Sequence, residues 1–302
     1  MIGRIISCIG GVYTVECDGN HYPCVAKGAF RHDGMTVVAG DMVEFQQNGE
    51  KKGREDIGLV TRVLERKNVL IRPEVANIDT IFAVFALASP DPSLLAIDKL
   101  TAIAAHSDIN VVIVFNKRDI ADALETEKLV GTYEKSGYTV VTLSAATDPD
   151  EVREKLFPLA GGGVNVFTGP SGVGKSTVIN TLFPQLQLEI GSISEKNKRG
   201  KNTTRSTVLY KTDENTYFVD TPGFTLLDFE RFRFMKKEEL VFAFPEYRDL
   251  ACECRYTKCT HTKEEGCAIL EGIADGNLPK SRHDSYLSLW EILKNHKDWE
   301  NK

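Results

Sequence analysis

No stretch of this sequence is apolar for long enough to cross a bilayer. The longest such run, Ile81 to Ala88, falls far short of the roughly 20 residues a spanning helix needs. The residues before Glu16 include one Arg and no long apolar run, so a secretory leader is not expected there. A cytoplasmic location without a membrane partner follows as the expectation. Positive charge is in no surplus: 37 Lys and Arg stand against 43 Asp and Glu, a formal net charge of −6. That argues against indiscriminate nucleic-acid binding. Internal repeats and low-complexity segments are absent too. Seven cysteines cannot all pair, and without a leader disulfides are disfavoured.

What is present suits two or three domains: 302 residues, 42% of them hydrophobic and 26% charged. The acidic excess sits in residues 69–230, with 15 basic against 21 acidic side chains. A polyanion must therefore be met by local patches, and two stand out. One is Lys51, Lys52 and Arg54; the other is Lys196, Lys198, Arg199, Lys201 and Arg205.

Residues 1–68 read as all-β. Alternating runs such as Gly11–Glu16 and Thr36–Phe45 lie between Gly, Asp and Asn turn signals, which fits a small barrel of OB type, an RNA-binding architecture. From Val69 the rhythm changes. Buried strands are expected at 78–87, 111–115, 139–143 and 164–167, with helices at 94–106 and 122–136 between the first three. Alternation of this kind means an α/β domain with a parallel sheet, here spanning 69–230. Further strands are expected at 207–210 and 216–219. Residues 231–302 turn mostly helical around a cysteine cluster, and Leu287, Leu289, Trp290 and Leu293 predict a last amphipathic helix.

The sharpest motif is Gly169, Pro170, Ser171, Gly172, Val173, Gly174, Lys175 and Ser176, a Gly-x4-Gly-Lys-Ser phosphate-binding loop. It follows a predicted strand and opens a helix at Thr177. Its glycines let successive backbone N–H groups point inward, and the helix N-terminus adds positive potential. Lys175 can reach the β- and γ-phosphates, and the Ser176 hydroxyl can ligate Mg²⁺.

Asn116, Lys117, Arg118 and Asp119 name the base. In an Asn-Lys-x-Asp loop the final carboxylate accepts hydrogen bonds from guanine N1 and N2, a donor pair that adenine lacks. Asn116 would brace the loop and the Lys117 stem would cover one ring face. Ser144, Ala145 and Ala146, after the next strand, resemble a further guanine-contacting loop. Asp220 in Asp-Thr-Pro-Gly would hold Mg²⁺ through water, and the Gly223 N–H would sense the γ-phosphate. Either Thr203 or Thr204 would complete the Mg²⁺ shell.

The order of these motifs is permuted. GTPases ordinarily run from phosphate loop to Asp-x-x-Gly and only then to Asn-Lys-x-Asp; here Asn116–Asp119 and Ser144–Ala146 come first. Every motif sits at one sheet edge, so joining nearby termini elsewhere preserves the site. The chain after Gly223 then runs straight into residues 231–302, which the nucleotide state is expected to reposition.

Near the C-terminus, three thiolates and one imidazole from Cys254 or Cys252, Cys259, His261 and Cys267 can close a tetrahedral Zn²⁺ site with no open position. His21, His32, His106, His283 and His296 lack matching neighbours and read as surface or packing residues.

Permuted order, OB-like front and Cys-x4-Cys-x-His-x5-Cys tail together resemble the RsgA family of small ribosomal subunit biogenesis GTPases (the YjeQ/YloQ type). The resemblance extends to Arg72–Asp79 and to Cys259-Thr-His261. It implies one structural zinc on Cys254, Cys259, His261 and Cys267. It also implies Mg²⁺ with GTP, and the 30S subunit with its 16S rRNA as partner. Hydrolysis would be stimulated by that subunit and would accompany release; a monomer suffices. One departure bears on catalysis. Phe224 follows Asp-x-x-Gly where a water-orienting Gln can stand. The resemblance implies a His before the paired threonines, and Asn202 occupies that place. Asn cannot take a proton from water at neutral pH, so slow intrinsic hydrolysis is expected, with weaker stimulation by the subunit than in a His-bearing relative. The expected catalytic set is Lys175, Asn202, Thr203, Thr204 and Gly223.

The competing reading is a nucleotide-gated RNA-binding assembly factor with little hydrolysis. A phosphate-loop ATPase or kinase is discouraged by Asp119, and a zinc-finger DNA regulator by the want of a recognition helix.

Overall fold

The computed structural model describes residues 1–26, 30, 36–47, 51–52, 55–71, 74–184, 207–213, 215–219 and 235–294. Among them the strands are β1 (Ile2–Ile9), β2 (Val12–Cys17), β3 (Asn20–Ala26), β4 (Met42–Gln46), β5 (Lys51–Lys52), β6 (Glu55–Asp56), β7 (Gly58–Val63), β8 (Val69–Ile71) and β9 (Glu74–Ala76). Strands β1, β2, β3, β7 and β4 close into a barrel. Alternation drives closure, because β1 buries every second side chain. The interior fills with Ile5, Val15, Cys24, Val37, Val43, Phe45 and Val60.

One expected strand is shorter than its pattern. The Thr36–Phe45 run pairs as a strand only from Met42, because a turn interrupts it. Gly40 has φ +91°, and a Cβ there would lie 2.1 Å from the Ala76 carbonyl oxygen. The fully buried Asp41 carboxylate accepts the Val38 N–H at 2.8 Å and both Nε and an Nη of Arg66 at 2.7 and 2.8 Å. A charge-assisted pair of this kind holds the turn against the strand propensity of the valines.

The α/β part continues with β10 (Ile78–Ala86), α1 (Leu94–His106), β11 (Asn110–Asn116), α2 (Ala123–Lys135), β12 (Thr139–Thr142), α3 (Pro149–Leu156), β13 (Gly163–Thr168), α4 (Lys175–Leu182), β14 (Leu209–Asp213) and β15 (Thr216–Val219). The sheet runs in the order β12-β11-β10-β13-β15-β14. Pairing is parallel at β11–β12 and β13–β15, and antiparallel at β14–β15. The last pair is an antiparallel edge on the sheet, since only Glu214 and Asn215 separate the two strands in the chain and so short a connection must reverse direction. Strand β10 is buried from Ile81 to Ala86, as its unbroken apolar run requires. Each of Ile81, Phe82, Val84 and Phe85 removed from water contributes roughly 1.5–3 kcal/mol.

Local caps set the helix starts. Ser93 accepts from the Ala96 N–H, Asp122 from that of Glu125 and Asp148 from that of Glu151. Helix α3 was not expected from periodicity. It buries only Val152 and Leu156, and its signal is the Asp148 cap with Pro at the first turn.

Beyond residue 234 the described chain runs through short 3₁₀ turns at 237–243, 245–247 and 250–253, then α5 (Ala268–Ala274) and α6 (Lys280–Lys294). The expected last helix is present, with Arg282, His283, Tyr286, Leu289 and Leu293 on its buried side. Among the described residues no helix is long and apolar enough to cross a membrane.

Contacts gather into two compact units. One takes in residues 1–80, 160–167 and the described part of 192–224; the other takes in 81–159, the described part of 168–191 and the described part of 225–302.

Candidate nucleotide site and metal centre

Strand β13 delivers the chain to Gly169, where φ is +151° and an added Cβ would lie 2.0 Å from the Val84 carbonyl oxygen. Only glycine lets the loop leave the sheet so close to β10. Gly174 ends the loop in a left-handed conformation, φ +89°, and α4 begins at Lys175. A Cβ at Gly174 would lie 2.2 Å from the Asn116 side-chain nitrogen. Val173 is buried; Ser171 and Gly172 are exposed; Pro170, Lys175, Ser176 and Thr177 are half-buried.

Asn116, at the end of β11, is 3% exposed and joins three loops. Its Nδ2 donates to the Val173 carbonyl of the phosphate loop at 2.9 Å. Its Oδ1 accepts the Ala145 N–H at 2.9 Å, and its carbonyl accepts the Leu87 N–H at 2.9 Å. Lys117 adopts a left-handed conformation, φ +64°, and its Nζ donates to the Ser89 carbonyl. Asp119 follows in an exposed turn, its N–H donating to Ser144 Oγ at 3.1 Å. Among the described residues its carboxylate accepts no hydrogen bond and forms no ion pair. Ser144 and Ala145 are buried, and Ala146 is exposed.

The sequence-predicted groups at 116–119, 144–146 and 169–177 thus lie in one unit, and the first two groups and the phosphate loop meet through Asn116. Asn202, Thr203, Thr204, Asp220, Gly223 and Phe224 lie outside the described residues, as does the basic run from Lys196 to Arg205. The Ser89 carbonyl, which Lys117 meets, and the Glu151 carboxylate, which Arg118 meets, belong to no motif, because the sequence does not record which distant groups pair.

Sγ atoms of Cys254, Cys259 and Cys267 and a ring nitrogen of His261 all lie within 4.8 Å of one another. Cys254 Sγ and Cys267 Sγ are 3.9 Å apart, and each is 3.5 Å from His261 Nδ1. A tetrahedral ion with Zn–S of about 2.3 Å and Zn–N of about 2.0–2.1 Å sets sulfurs about 3.8 Å apart and sulfur from nitrogen about 3.5 Å. The spacing of Cys254, Cys267 and His261 therefore fits such an ion, and Cys259 Sγ lies within 4.8 Å of all three. Burial lowers the His261 pKa, so the ring is neutral and offers a lone pair. Burial also pushes Cys259 up to about 12, with the neighbouring thiols adding to it. A divalent cation would remove that cost. Cys252 is exposed and outside the cluster.

The loop is held from behind. His283 Nε2 is 2.8 Å from the His261 carbonyl, and Tyr286 donates to the Thr260 carbonyl at 3.0 Å. Glu264 accepts the N–H groups of Thr260, Thr262 and Lys263, each at 3.0 Å.

Comparison with known proteins identifies the family. Residues 63–230 match the family described as RsgA GTPase, and residues 2–54 the RsgA N-terminal domain. A "Small ribosomal subunit biogenesis GTPase RsgA" from Alkaliphilus metalliredigens is 38% identical over 294 residues, 97% of this chain and 98% of its own. Its counterpart from Clostridium botulinum strain 657 is 36% identical over 298 residues, 98% of each. The crystal structure of YjeQ from Thermotoga maritima aligns with a TM-score of 0.82 at 31% identity, covering 98% of this chain and 99% of that one. YloQ, described as a circularly permuted GTPase, aligns with a TM-score of 0.78 at 28% identity, covering 98% and 96%.

Proposed function

The chain belongs to the RsgA family of GTPases, and from that premise we propose that its GTP hydrolysis times its stay on the small ribosomal subunit during late assembly. The observation that carries this reading is the Asn116 hub, which binds the phosphate loop and both base-reading loops into one frame despite their permuted order. Such a frame pre-organises a purine triphosphate site. The Asp119 carboxylate accepts guanine N1 and N2. Lys175 and the backbone of residues 169–177 hold the phosphates. Ser176, Asp220 and either Thr203 or Thr204 would hold Mg²⁺, which would supply charge stabilisation to the transferring phosphoryl group. Competition of labelled GTP by ATP tests the base assignment: ATP should fail to displace it.

Cys254, Cys259, His261 and Cys267 hold one zinc, which supplies a structural cross-link with no open position. Elemental analysis of the purified protein should return one zinc per chain. The barrel of residues 1–68 is the RNA-binding domain, residues 69–230 the permuted GTPase domain and residues 231–302 the zinc-binding domain. The protein works as a cytoplasmic monomer. Co-sedimentation with small subunits in GTP-analogue, GDP and nucleotide-free states tests this; equal binding in all three would overturn it.

A second reading, gated RNA binding with little hydrolysis, is favoured by Phe224 and Asn202 in the sequence. Single-turnover hydrolysis with and without small subunits separates the two. Asn202→His should raise the stimulated rate, and an unchanged rate would remove residue 202 from the water-activating role.

A further inference from the structure

Between the two base-reading loops lies a carboxylate that none of the motifs contains. Glu151 sits in the first turn of α3, where Asp148 caps its N–H at 3.0 Å. Its two oxygens take the Arg118 guanidinium side-on: Nη1 to Oε1 at 2.7 Å and Nη2 to Oε2 at 3.1 Å. Oε2 also accepts the Ser144 N–H at 3.3 Å, and Lys155 Nζ lies 2.8 Å from Oε1. Arg118 is the variable member of Asn-Lys-x-Asp, and Ser144 opens the Ser-Ala-Ala loop. From Ser144 the chain of bonds continues through Oγ to the Asp119 N–H at 3.1 Å. Arg118 further donates to the Thr142 carbonyl at 3.4 Å, and its own N–H bonds the Leu143 carbonyl at 3.2 Å.

We propose that Glu151 is a positioning residue for guanine selectivity, clasping the 116–119 and 144–146 loops so that the Asp119 carboxylate meets both N1 and N2 of the base. This rests on the reading of those loops as the guanine site. The side chain of Glu151 is 12% exposed against 42% for Arg118, so the carboxylate is the fixed partner and the guanidinium closes on it from solvent. A bidentate arginine–carboxylate pair fixes orientation as well as distance. Burial raises the Glu151 pKa, but hydrogen bonds from Lys155 and Arg118 outweigh it and hold the carboxyl below its usual range. The group is therefore ionised whenever nucleotide binds near neutral pH. The same helix reaches the phosphate-loop helix, because Arg153 Nε donates to the Thr181 carbonyl at 3.1 Å. Helix α3 thus braces base and phosphate elements together.

The test compares GDP with IDP, which lacks the 2-amino group and offers Asp119 only one donor. Full-length protein and its Glu151→Ala and Arg118→Ala variants are titrated with each nucleotide, and thermal unfolding confirms that each variant is folded. Glu151→Ala should weaken GDP binding about tenfold, the scale of one charge-assisted hydrogen bond. IDP binding should weaken less, so the GDP-over-IDP preference shrinks. Arg118→Ala should move the preference the same way. The double variant should lose little beyond the larger single effect, since both remove one pair. A folded Glu151→Ala protein with an unchanged preference would make the clasp merely structural and overturn the proposal. If Glu151→Ala does not fold, the solvent-side Arg118→Ala decides alone, with the same two outcomes. Asp119→Ala is the separate control. Should that variant keep its GDP affinity, the assignment of the guanine site itself fails; should it lose GDP while Glu151→Ala changes nothing, only the clasp fails.

Discussion

Two buried charge clusters, one in each compact unit, do the same job by opposite balances. In the first, Glu16 of β2 is 6% exposed and ties the barrel to β14 and β15. It accepts from Lys211 Nζ at 2.8 Å, from the Tyr217 hydroxyl at 2.6 Å and from the Gly19 N–H at 3.0 Å. Arg4 lies over the Tyr217 ring, 5.0 Å from its centroid. In the second, Arg282 of α6 is 1% exposed and ties the metal-binding region to α1. Its five N–H donors find five acceptors: Asp98 at 2.7 Å, Thr101 at 3.2 Å, Tyr138 at 3.4 Å and both oxygens of Glu246 at 2.8 and 3.1 Å. The Phe244 ring lies 4.6 Å from the guanidinium.

The difference is solvent. Lys211 keeps 31% of its side-chain exposure, so the first cluster stays partly hydrated. Burial there pushes the Glu16 carboxyl up, yet the bonds from Lys211, Tyr217 and Gly19 win and its pKa ends below the usual value. In the second cluster burial wins, and Asp98 ends above its usual value although Arg282, Tyr133 and Ser285 pull it down. A dry ion pair therefore secures a junction through the penalty for breaking it rather than through its own net stability.

The largest expected consequence is at Arg282. Arg282→Ala should cost roughly 3–5 kcal/mol in denaturant unfolding, because two buried carboxylates lose their counter-ion. Arg282→Met, which keeps most of the volume, should cost nearly as much. A mild Arg282→Met would show that packing, not charge, holds the junction. A smaller loss is expected at Glu16, where Glu16→Gln should cost about 1–2 kcal/mol, since the amide still accepts from Tyr217 and Lys211 can turn to water. A loss as large as that of Arg282→Ala would erase the contrast.

The smallest and most discriminating effect is in pH. Glu16 has a lowered folded pKa, so its stabilisation is full above the unfolded value near 4.5 and fades as pH falls through the folded one. The cost of Glu16→Gln should thus shrink on acidification from pH 7. Asp98 has a raised folded pKa, so wild-type stability falls as pH rises from the unfolded value of 3.8 through the folded one. The cost of Asp98→Asn should grow on acidification instead. Unfolding free energies of both variants across that window check the sign, and parallel trends would break the comparison.

Much of the fold was legible because short-range physics writes it down. Helix α1 spans the predicted residues 94–106, and β15 the predicted 216–219. The phosphate loop and the Asn-Lys-x-Asp turn could be read because each needs particular residue types at fixed spacing. Helix α3 escaped notice because its surface is polar and its burial slight, and the Thr36–Phe45 run was overdrawn because Asp41 and Arg66, 25 residues apart, decide the turn.

The amino-acid order by itself pointed to the buried strand β10 and to a guanine nucleotide and a thiolate-bound metal as the chemistry to expect. Only the tertiary structure decided which distant charges meet: Arg118 with Glu151 across 33 residues, Arg282 with Asp98 across 184, Glu16 with Tyr217 across 201. Periodicity and motif spacing encode local geometry, whereas an ion pair forms wherever folding removes water between two charges, and no local pattern records that meeting.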